Sequence, residues 1–120
     1  MFVLLEHQPD PAAPQQPVHW DLLIELPEQE LLATWRLAEN PLDARDPIPA
    51  ERIFDHDRRF LDYEGPLRSG RGAVRRLDRG PADVHEHAGD ELRVTLHGQH
   101  VRGAYALIGT ATGLELRRSM

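Results

Sequence analysis

Prolines divide this chain into short segments, and their spacing limits what it can fold into. Ten prolines and nine glycines are spread over 120 residues. Residues 8–17 alone hold four prolines, each of which removes a backbone donor and opposes a helix. This punctuation predicts many turns and short strands instead of long helices.

Apolar and alternating stretches between these breaks predict the strands. The clearest stretch is residues 91–98, where Leu92, Val94 and Leu96 share one face. We expect strands at residues 1–6, 18–26, 31–37, 72–78, 91–98, 101–109 and 113–119. Residues 38–51 and 79–90 are expected to be loops, and residues 52–67 a short strand followed by a helical turn or an irregular arm.

Short strands separated by glycine and proline predict an all-β fold. We expect a small closed or nearly closed antiparallel β-barrel with long Pro-rich loops, because closure removes exposed strand edges. A length of 120 residues suits a single domain, residues 1–120, with one sizeable core.

Composition excludes several classes of site. The chain has no cysteine, so disulfides, thiolate metal sites and cysteine nucleophiles are excluded. The apolar stretch before Glu6 is too short for a signal-peptide core or a membrane span, so we expect a soluble cytoplasmic protein without membrane contact. The formal charge of −6 argues against bulk nucleic-acid binding. Residues 68–80 nevertheless hold five arginines, and such a stripe can bind a phosphate or a strand end.

The stretch PVHWDLLIEL, residues 17–26, places polar groups at the start of an apolar strand. His19 and Asp21 are two residues apart and therefore share one face, while Trp20 belongs to the apolar face. His7 ends the preceding predicted strand and is expected beside them. Three nitrogen and oxygen ligands at two strand ends suit Mn²⁺, Zn²⁺ or Fe²⁺, with positions left for water or substrate. A histidine–aspartate hydrogen bond that only orients the strand end is the alternative.

Four other histidines lie in polar segments and carry a weaker signal. His85 and His87 form a His-x-His pair, and His97 and His100 flank a predicted turn. The His-x-His spacing alone is weak support for a metal site. We interpret all four as exposed turn residues.

Arg36 on the next predicted strand is expected to join the cluster. If residues 27–30 close a hairpin, Asp21 lies opposite Arg36, with the two side chains about 5 Å apart on one face. The guanidinium can then bind a phosphate bidentately, or it can pair structurally with Asp21 or Glu25. A register slip of one residue would move Arg36 to the other face.

Six segments occur in an order that resembles one protein family: FVLLEH, HWDLLIE, LLATWRL, DH…FLDYEG, RGAVRRLDRG and LRVTLHGQHVRGAYAL. Together they resemble the 3′-phosphoesterase domain of bacterial DNA ligase D, and more closely the small stand-alone proteins of that family. The resemblance covers residues 2–108. It implies a small closed β-barrel with its active site in a surface groove. It also implies an enzyme that removes 3′-phosphates and 3′-terminal ribonucleotides in DNA repair by end joining.

The resemblance also implies roles for individual residues. The family's metal ligands correspond to His7, His19 and Asp21, and its histidine near the scissile phosphate corresponds to His56. The implied cofactor is a divalent metal, with Mn²⁺ expected before Zn²⁺. The implied partners are DNA or RNA–DNA 3′ ends, with a repair ligase or polymerase as a further partner. The sequence shows no pattern typical of a protein–protein interface, so a monomer is expected.

Two positions depart from the family pattern. Leu23 stands where the ligase-fused enzymes have an arginine that grips phosphate, and Phe60 stands where they have a catalytic tyrosine. Both changes remove stabilisation of phosphoryl oxygens. Arg36 is the expected replacement, and Arg71 and Arg76 are further candidates for binding the nucleic-acid backbone.

These observations support two main hypotheses. The first is a metal-dependent phosphoesterase in which His56 stabilises the phosphate or acts as general acid and Arg36 supplies positive charge. The second is a catalytically reduced metal-binding barrel that binds DNA ends or a repair partner without hydrolysis, which Leu23 and Phe60 favour. A plain structural barrel, whose histidines pair with carboxylates, is a third.

Overall fold

Short strands are the main elements of the described part of the chain. The computed structural model describes residues 1–12, 17–45 and 47–119. Its strands are β1 (Phe2–Gln8), β2 (His19–Ile24), β3 (Leu32–Leu37), β4 (Ile48–His56), β5 (Gly65–Pro66), β6 (Ala73–Gly80), β7 (Ala82–Ala88), β8 (Glu91–His97), β9 (Arg102–Thr110) and β10 (Gly113–Arg118). Two 3₁₀ turns, Arg58–Leu61 and Arg68–Gly70, are the helical segments of this part. Neither is long and apolar enough to cross a membrane.

All ten strands form one antiparallel sheet, which confirms the all-β prediction. Their order is β5-β6-β1-β2-β3-β4-β10-β9-β8-β7. Among the described strands the hydrogen-bonded ladder does not close, because β5 and β7 each have one neighbour. The expected barrel is therefore supported as a single curled sheet and not as a closed ladder.

The chain itself brings the two ends of the sheet together. Only Pro81 separates β6 from β7, although these strands lie near opposite ends of the strand order. At this junction His97 donates its backbone N–H to the Pro81 carbonyl at 2.9 Å. A Cβ built on Gly80 would lie 2.1 Å from the His97 carbonyl oxygen, so the two backbones approach at a distance that only glycine permits.

The two faces of the sheet carry separate apolar clusters. The core face holds the main core, which includes Phe2, Leu22, Trp35, Leu96 and Leu107. A smaller second cluster lies on the outer face of β1, β2, β3 and β6. It consists of Val3, Leu5, Leu23, Leu32 and Val74 on these strands and Leu61 of the 3₁₀ turn Arg58–Leu61. Partly buried side chains of the segment 58–71, together with Met1, cover this second cluster.

Two segments predicted to be loops contain strands. β4 begins at Ile48, inside the predicted loop 38–51, and accommodates Pro49 near its start, where the Pro49 carbonyl accepts the Ala38 N–H. β7 lies inside the predicted loop 79–90. It is an edge strand with mostly exposed side chains, so the apolar alternation that marks a half-buried strand is missing.

Asp78 fastens the end of β6 to the turn between β8 and β9. Its side chain is buried, and its carboxylate accepts the backbone N–H groups of Arg79, Gln99, His100 and Val101 at 2.7–2.9 Å. Burial alone would raise the pKa of Asp78. The four hydrogen bonds to the ionised form outweigh burial and hold the pKa below its usual value.

Replacing this carboxylate should destabilise the fold in a pH-dependent way. For Asp78→Asn we expect the free energy of unfolding at pH 7 to fall by about 2–4 kcal/mol, because an amide NH₂ then faces buried donors. A depressed folded-state pKa stabilises the protein above the unfolded value of about 3.9, and this stabilisation is lost as the pH falls through the folded value. Urea denaturation should therefore show the gap between the two proteins closing below about pH 4.

The matched control is Asp62→Asn, because the Asp62 side chain is 74% exposed in a surface ion pair with Arg79. It should change stability by less than about 0.5 kcal/mol. An Asp78→Asn protein as stable as this control at pH 7 would contradict the role given to Asp78.

Candidate metal and phosphate site

Pairing of β1 with β2 brings three candidate ligands together on the outer face. His7 lies directly opposite His19, and His7 Nδ1 is 2.7 Å from His19 Nε2. His19 Nε2 is in turn 3.5 Å from Asp21 Oδ2. One ligand atom from each residue lies within 4.8 Å of the others. Donors bound to one cation at about 2.1 Å lie about 3.0–3.5 Å apart, so small adjustments would suffice to hold a metal.

A backbone carbonyl orients the His7 ring. His7 Nε2 lies 2.7 Å from the Arg71 carbonyl oxygen. A carbonyl oxygen only accepts, so Nε2 carries the proton and the neutral ring keeps its lone pair on Nδ1. Metal-binding histidines commonly have such a hydrogen bond on the second nitrogen, which fixes the tautomer. Sequence reasoning identified His7 but had no signal for the carbonyl that aims it.

Asp21 is a buried carboxylate that the described residues leave incompletely satisfied. It is 4% exposed, and its Oδ1 has no hydrogen-bond partner among them. An unsatisfied buried polar atom costs about 1–3 kcal/mol, and more when charged. A cation bound beside His7 and His19 would remove this cost. The oxygen without a hydrogen-bond partner and the imidazole–carboxylate donor set therefore fit a divalent metal of the Mn²⁺ or Zn²⁺ type.

The β2–β3 register places Arg36 opposite Asp21, as the hairpin interpretation of the sequence predicted. The same register places Leu23 opposite Thr34. Arg36 Nε is 3.5 Å from Asp21 Oδ1, which is an ion-pair distance, yet neither atom makes a well-formed hydrogen bond among the described residues. The guanidinium thus neutralises Asp21 in part and keeps donors for an anion.

A bulge in β4 places His56 on the same outer face. Thr34 lies opposite Ile53, but Leu32 lies opposite His56, so β4 contains one extra residue between these pairs. One extra residue inverts the alternation of side chains along the strand. Without it, His56 would follow Arg52 onto the core face.

The state of the His56 ring follows from its surroundings. Its Nδ1 lies 3.1 Å from the Phe54 carbonyl oxygen and therefore donates, which leaves Nε2 unprotonated in the neutral ring. Burial lowers the pKa of His56, while the Phe54 carbonyl and the Asp21 charge partly oppose this effect. The free protein consequently holds a neutral His56 at pH 7.

A cavity of about 400 Å³ connects His7, Asp21, Arg36 and His56, whereas His19 is not among its lining residues. Among the described residues its lining includes His7, Asp21, His56, Phe54, Phe60 and four arginines, Arg36, Arg59, Arg68 and Arg71. Four guanidiniums against one carboxylate make this an electropositive pocket in an acidic protein, which suits a phosphate group.

The cavity differs from the sequence prediction in its arginines. Arg59 and Arg68 were missed, because nothing in the local pattern separates them from the other arginines between residues 58 and 79. Arg71 lines the cavity. Arg76 lies on β6 opposite Leu5 of β1 and is not among the residues that line the cavity.

The two departures from the family pattern lie close together. Leu23 is fully buried in the second cluster, and Phe60 packs against that cluster while also lining the cavity. An arginine at position 23 would have to bury its guanidinium among aliphatic side chains. Phe60 therefore covers the apolar cluster at the cavity, while Leu23 lies within that cluster.

The remaining histidines lie away from this site. His85 and His87 lie on the strand β7 and not in a turn, but they are exposed as expected. His97 ends β8 and bonds Asp83 at 2.8 Å, while exposed His100 lies in the following turn. Within the described residues, the one grouping with metal-ligand geometry is His7, His19 and Asp21.

Comparison with protein families matches residues 11–109 to the model of the DNA ligase D 3′-phosphoesterase domain. The match covers most of the chain, from β2 to all but the last residue of β9. A search of the curated proteins found no match. At the level of the family, the match supports processing of 3′ ends in DNA repair. The chain belongs to the DNA ligase D 3′-phosphoesterase domain family.

Proposed function

We propose that residues 1–120 form a single phosphoesterase-like domain that removes 3′-phosphates and 3′-terminal ribonucleotides from DNA or RNA–DNA ends by metal-dependent hydrolysis. Family membership supports the 3′-end substrate. The observation that carries the finer proposal is the cluster of His7, His19 and Asp21, in which the buried Asp21 Oδ1 has no hydrogen-bond partner among the described residues. His7 and Asp21 of this cluster line one cavity together with four arginines.

The proposed metal ligands are His7 through Nδ1, His19 through Nε2, and Asp21. Mn²⁺ is the first candidate and Zn²⁺ the second, because imidazole and carboxylate ligands suit both ions. A cation held there supplies charge to a phosphoryl oxygen and lowers the pKa of bound water. The Arg71 carbonyl keeps the Nδ1 lone pair of His7 directed at the cluster.

The other cavity residues are proposed to act on the phosphate itself. Arg36 lies beside the cluster, 3.5 Å from Asp21 Oδ1, and binds the phosphoryl oxygens, whose charge it stabilises. His56 is neutral in the free protein. A phosphate dianion in the cavity raises the pKa of His56, so that Nε2 takes up a proton and donates it toward the phosphate or leaving group.

Metal binding should stabilise the protein through the three ligands. Because the ion binds the native state alone, Mn²⁺ at a hundredfold excess over its Kd should stabilise the wild type by about 2.7 kcal/mol, seen as a higher Tm. His19→Ala should fold but lose this shift. The matched control His87→Ala, which removes an exposed β7 histidine, should keep it. Equal Mn²⁺ shifts in His19→Ala and wild type would contradict the ligand assignment.

Hydrolysis should depend on Arg36 separately from metal binding. We expect the protein with Mn²⁺ to release inorganic phosphate from a primer-template with a 3′-phosphate, and a nucleoside from a primer with a 3′-ribonucleotide. Arg36→Gln should lower kcat/KM by about 100-fold, since one donor to a developing oxyanion contributes about 3 kcal/mol. Its Mn²⁺-dependent Tm shift should remain.

The control for this experiment is Arg93→Gln. It removes a half-exposed arginine of β8 that pairs with Glu86 of β7, at the end of the strand order away from the site. Its kcat/KM should stay within about twofold of wild type. Full activity in Arg36→Gln would contradict the phosphate-binding role of Arg36. No release from either primer with Mn²⁺, Zn²⁺ or Mg²⁺ would sink the proposed hydrolysis.

The apolar residues Leu23 and Phe60 favour a second candidate, a barrel that binds 3′ ends without hydrolysis. Phe60→Tyr separates the two, because it adds a hydroxyl to the cavity wall at almost constant volume. Under the first proposal the wild type hydrolyses the 3′-phosphate primer and Phe60→Tyr changes its rate. Under the second, only Phe60→Tyr hydrolyses, although wild type binds the same primer.

A further inference from the structure

Phe54 is exposed in a way that the fold does not require. Its side chain is 72% exposed, the largest value among the exposed large hydrophobic residues that the structure describes. Leaving a phenyl ring in water forgoes about 2 kcal/mol of burial. The ring also lines the cavity, so this exposure occurs at the proposed site and not at a random point on the surface.

The ring has a defined orientation because His56 lies beneath it. The Phe54 and His56 rings are stacked with centroids 4.9 Å apart and planes 3° from parallel. His56 in turn contacts Phe60 edge-on at 5.6 Å. The His56 ring therefore covers one face of the Phe54 ring and is itself packed against Phe60. The exposed part of Phe54 is its other face and its edges.

The backbone beneath this pair is held by strand geometry and ion pairs. The β4 bulge falls at residues 54 and 55, between the Ile53 and His56 pairing positions. Arg52 donates to Asp55 Oδ1 at 2.9 Å and lies 3.6 Å from Asp90 Oδ1. Bulges next to active sites commonly re-aim a side chain, and here the bulge presents a flat ring at the cavity mouth.

The chemistry around the ring indicates what it would contact. Arg36, Arg59, Arg68 and Arg71 line the same cavity and favour a phosphate inside it. A flat apolar surface beside a phosphate site matches one ligand in particular, a nucleotide whose base has left the duplex stack. Base stacking on an aromatic side chain is a recurrent mode of binding single strands.

We propose that Phe54, supported by His56, stacks the unpaired terminal base of a nucleic-acid 3′ end whose phosphate enters the cavity. The inference rests on the proposed function. It adds that the Phe54 ring makes the site bind a nucleotide end more tightly than a simple phosphate ester. It makes Phe54 a binding residue, and it predicts preference for a frayed or single-stranded 3′ terminus over a blunt, fully stacked one.

The test measures binding with a terminus that cannot be hydrolysed. Fluorescein-labelled single-stranded oligonucleotides ending in a 3′-methylenephosphonate are titrated with Mn²⁺-loaded protein, and the Kd is taken from anisotropy. One probe carries a normal terminal base and the other an abasic terminal sugar. Phe54→Leu should weaken binding of the first probe by about 5- to 100-fold and of the abasic probe by less than twofold.

Two further variants complete the design. Phe54→Trp should restore binding of the normal probe, since a larger ring stacks at least as well. Leu42→Ala removes another exposed apolar side chain, outside the cavity lining, and should bind both probes like wild type. The Tm of Phe54→Leu should match that of wild type because the ring is mostly exposed.

The outcomes separate this inference from the proposed function. Equal losses on the two probes, or no loss in Phe54→Leu, would overturn base stacking even if hydrolysis is intact. Wild-type protein that binds a 3′-hydroxyl probe as tightly as the 3′-phosphonate probe would overturn the entry of a terminal 3′-phosphate into the cavity, and the inference with it.

Discussion

The register of three neighbouring strands is the constraint on which the site depends. β1, β2 and β3 pair so that His7 faces His19 and Asp21 faces Arg36. The core face holds this register, because a slip of one residue would move a buried side chain such as Trp35 to the other face. The apolar side of the strands therefore fixes the distances among the polar groups on the opposite side.

The segment 58–71 completes the site from outside the sheet. Leu61 belongs to the second cluster, Phe60 packs against it, and Arg58 pairs with Glu25, which directly follows β2. This packing brings the Arg71 carbonyl to His7, where it selects the tautomer that directs Nδ1 at the other ligands. Leu23 belongs to the same packing. Its aliphatic side chain stabilises the arm that carries three of the cavity's four arginines.

Strand periodicity predicted the central part of the site and failed where periodicity is broken. Alternation put His19 and Asp21 on one face, and a short hairpin was enough to place Arg36 opposite Asp21. His56 came from the family resemblance, because the β4 bulge inverts the alternation that would otherwise place it in the core. Arg59 and Arg68 reach the cavity through tertiary packing of an irregular arm, for which the local sequence has no signal. β7 was missed because an exposed edge strand lacks a buried apolar stripe.

The most direct test of the account is the position of the metal. Crystals grown with Mn²⁺ and measured near the manganese absorption edge should show one anomalous peak bound by His7 Nδ1, His19 Nε2 and the Asp21 carboxylate. The His7 Nε2 to Arg71 carbonyl hydrogen bond should remain in the same map. A peak bound through His7 Nε2, a peak at the exposed histidines, or no peak beside Asp21 would contradict the account.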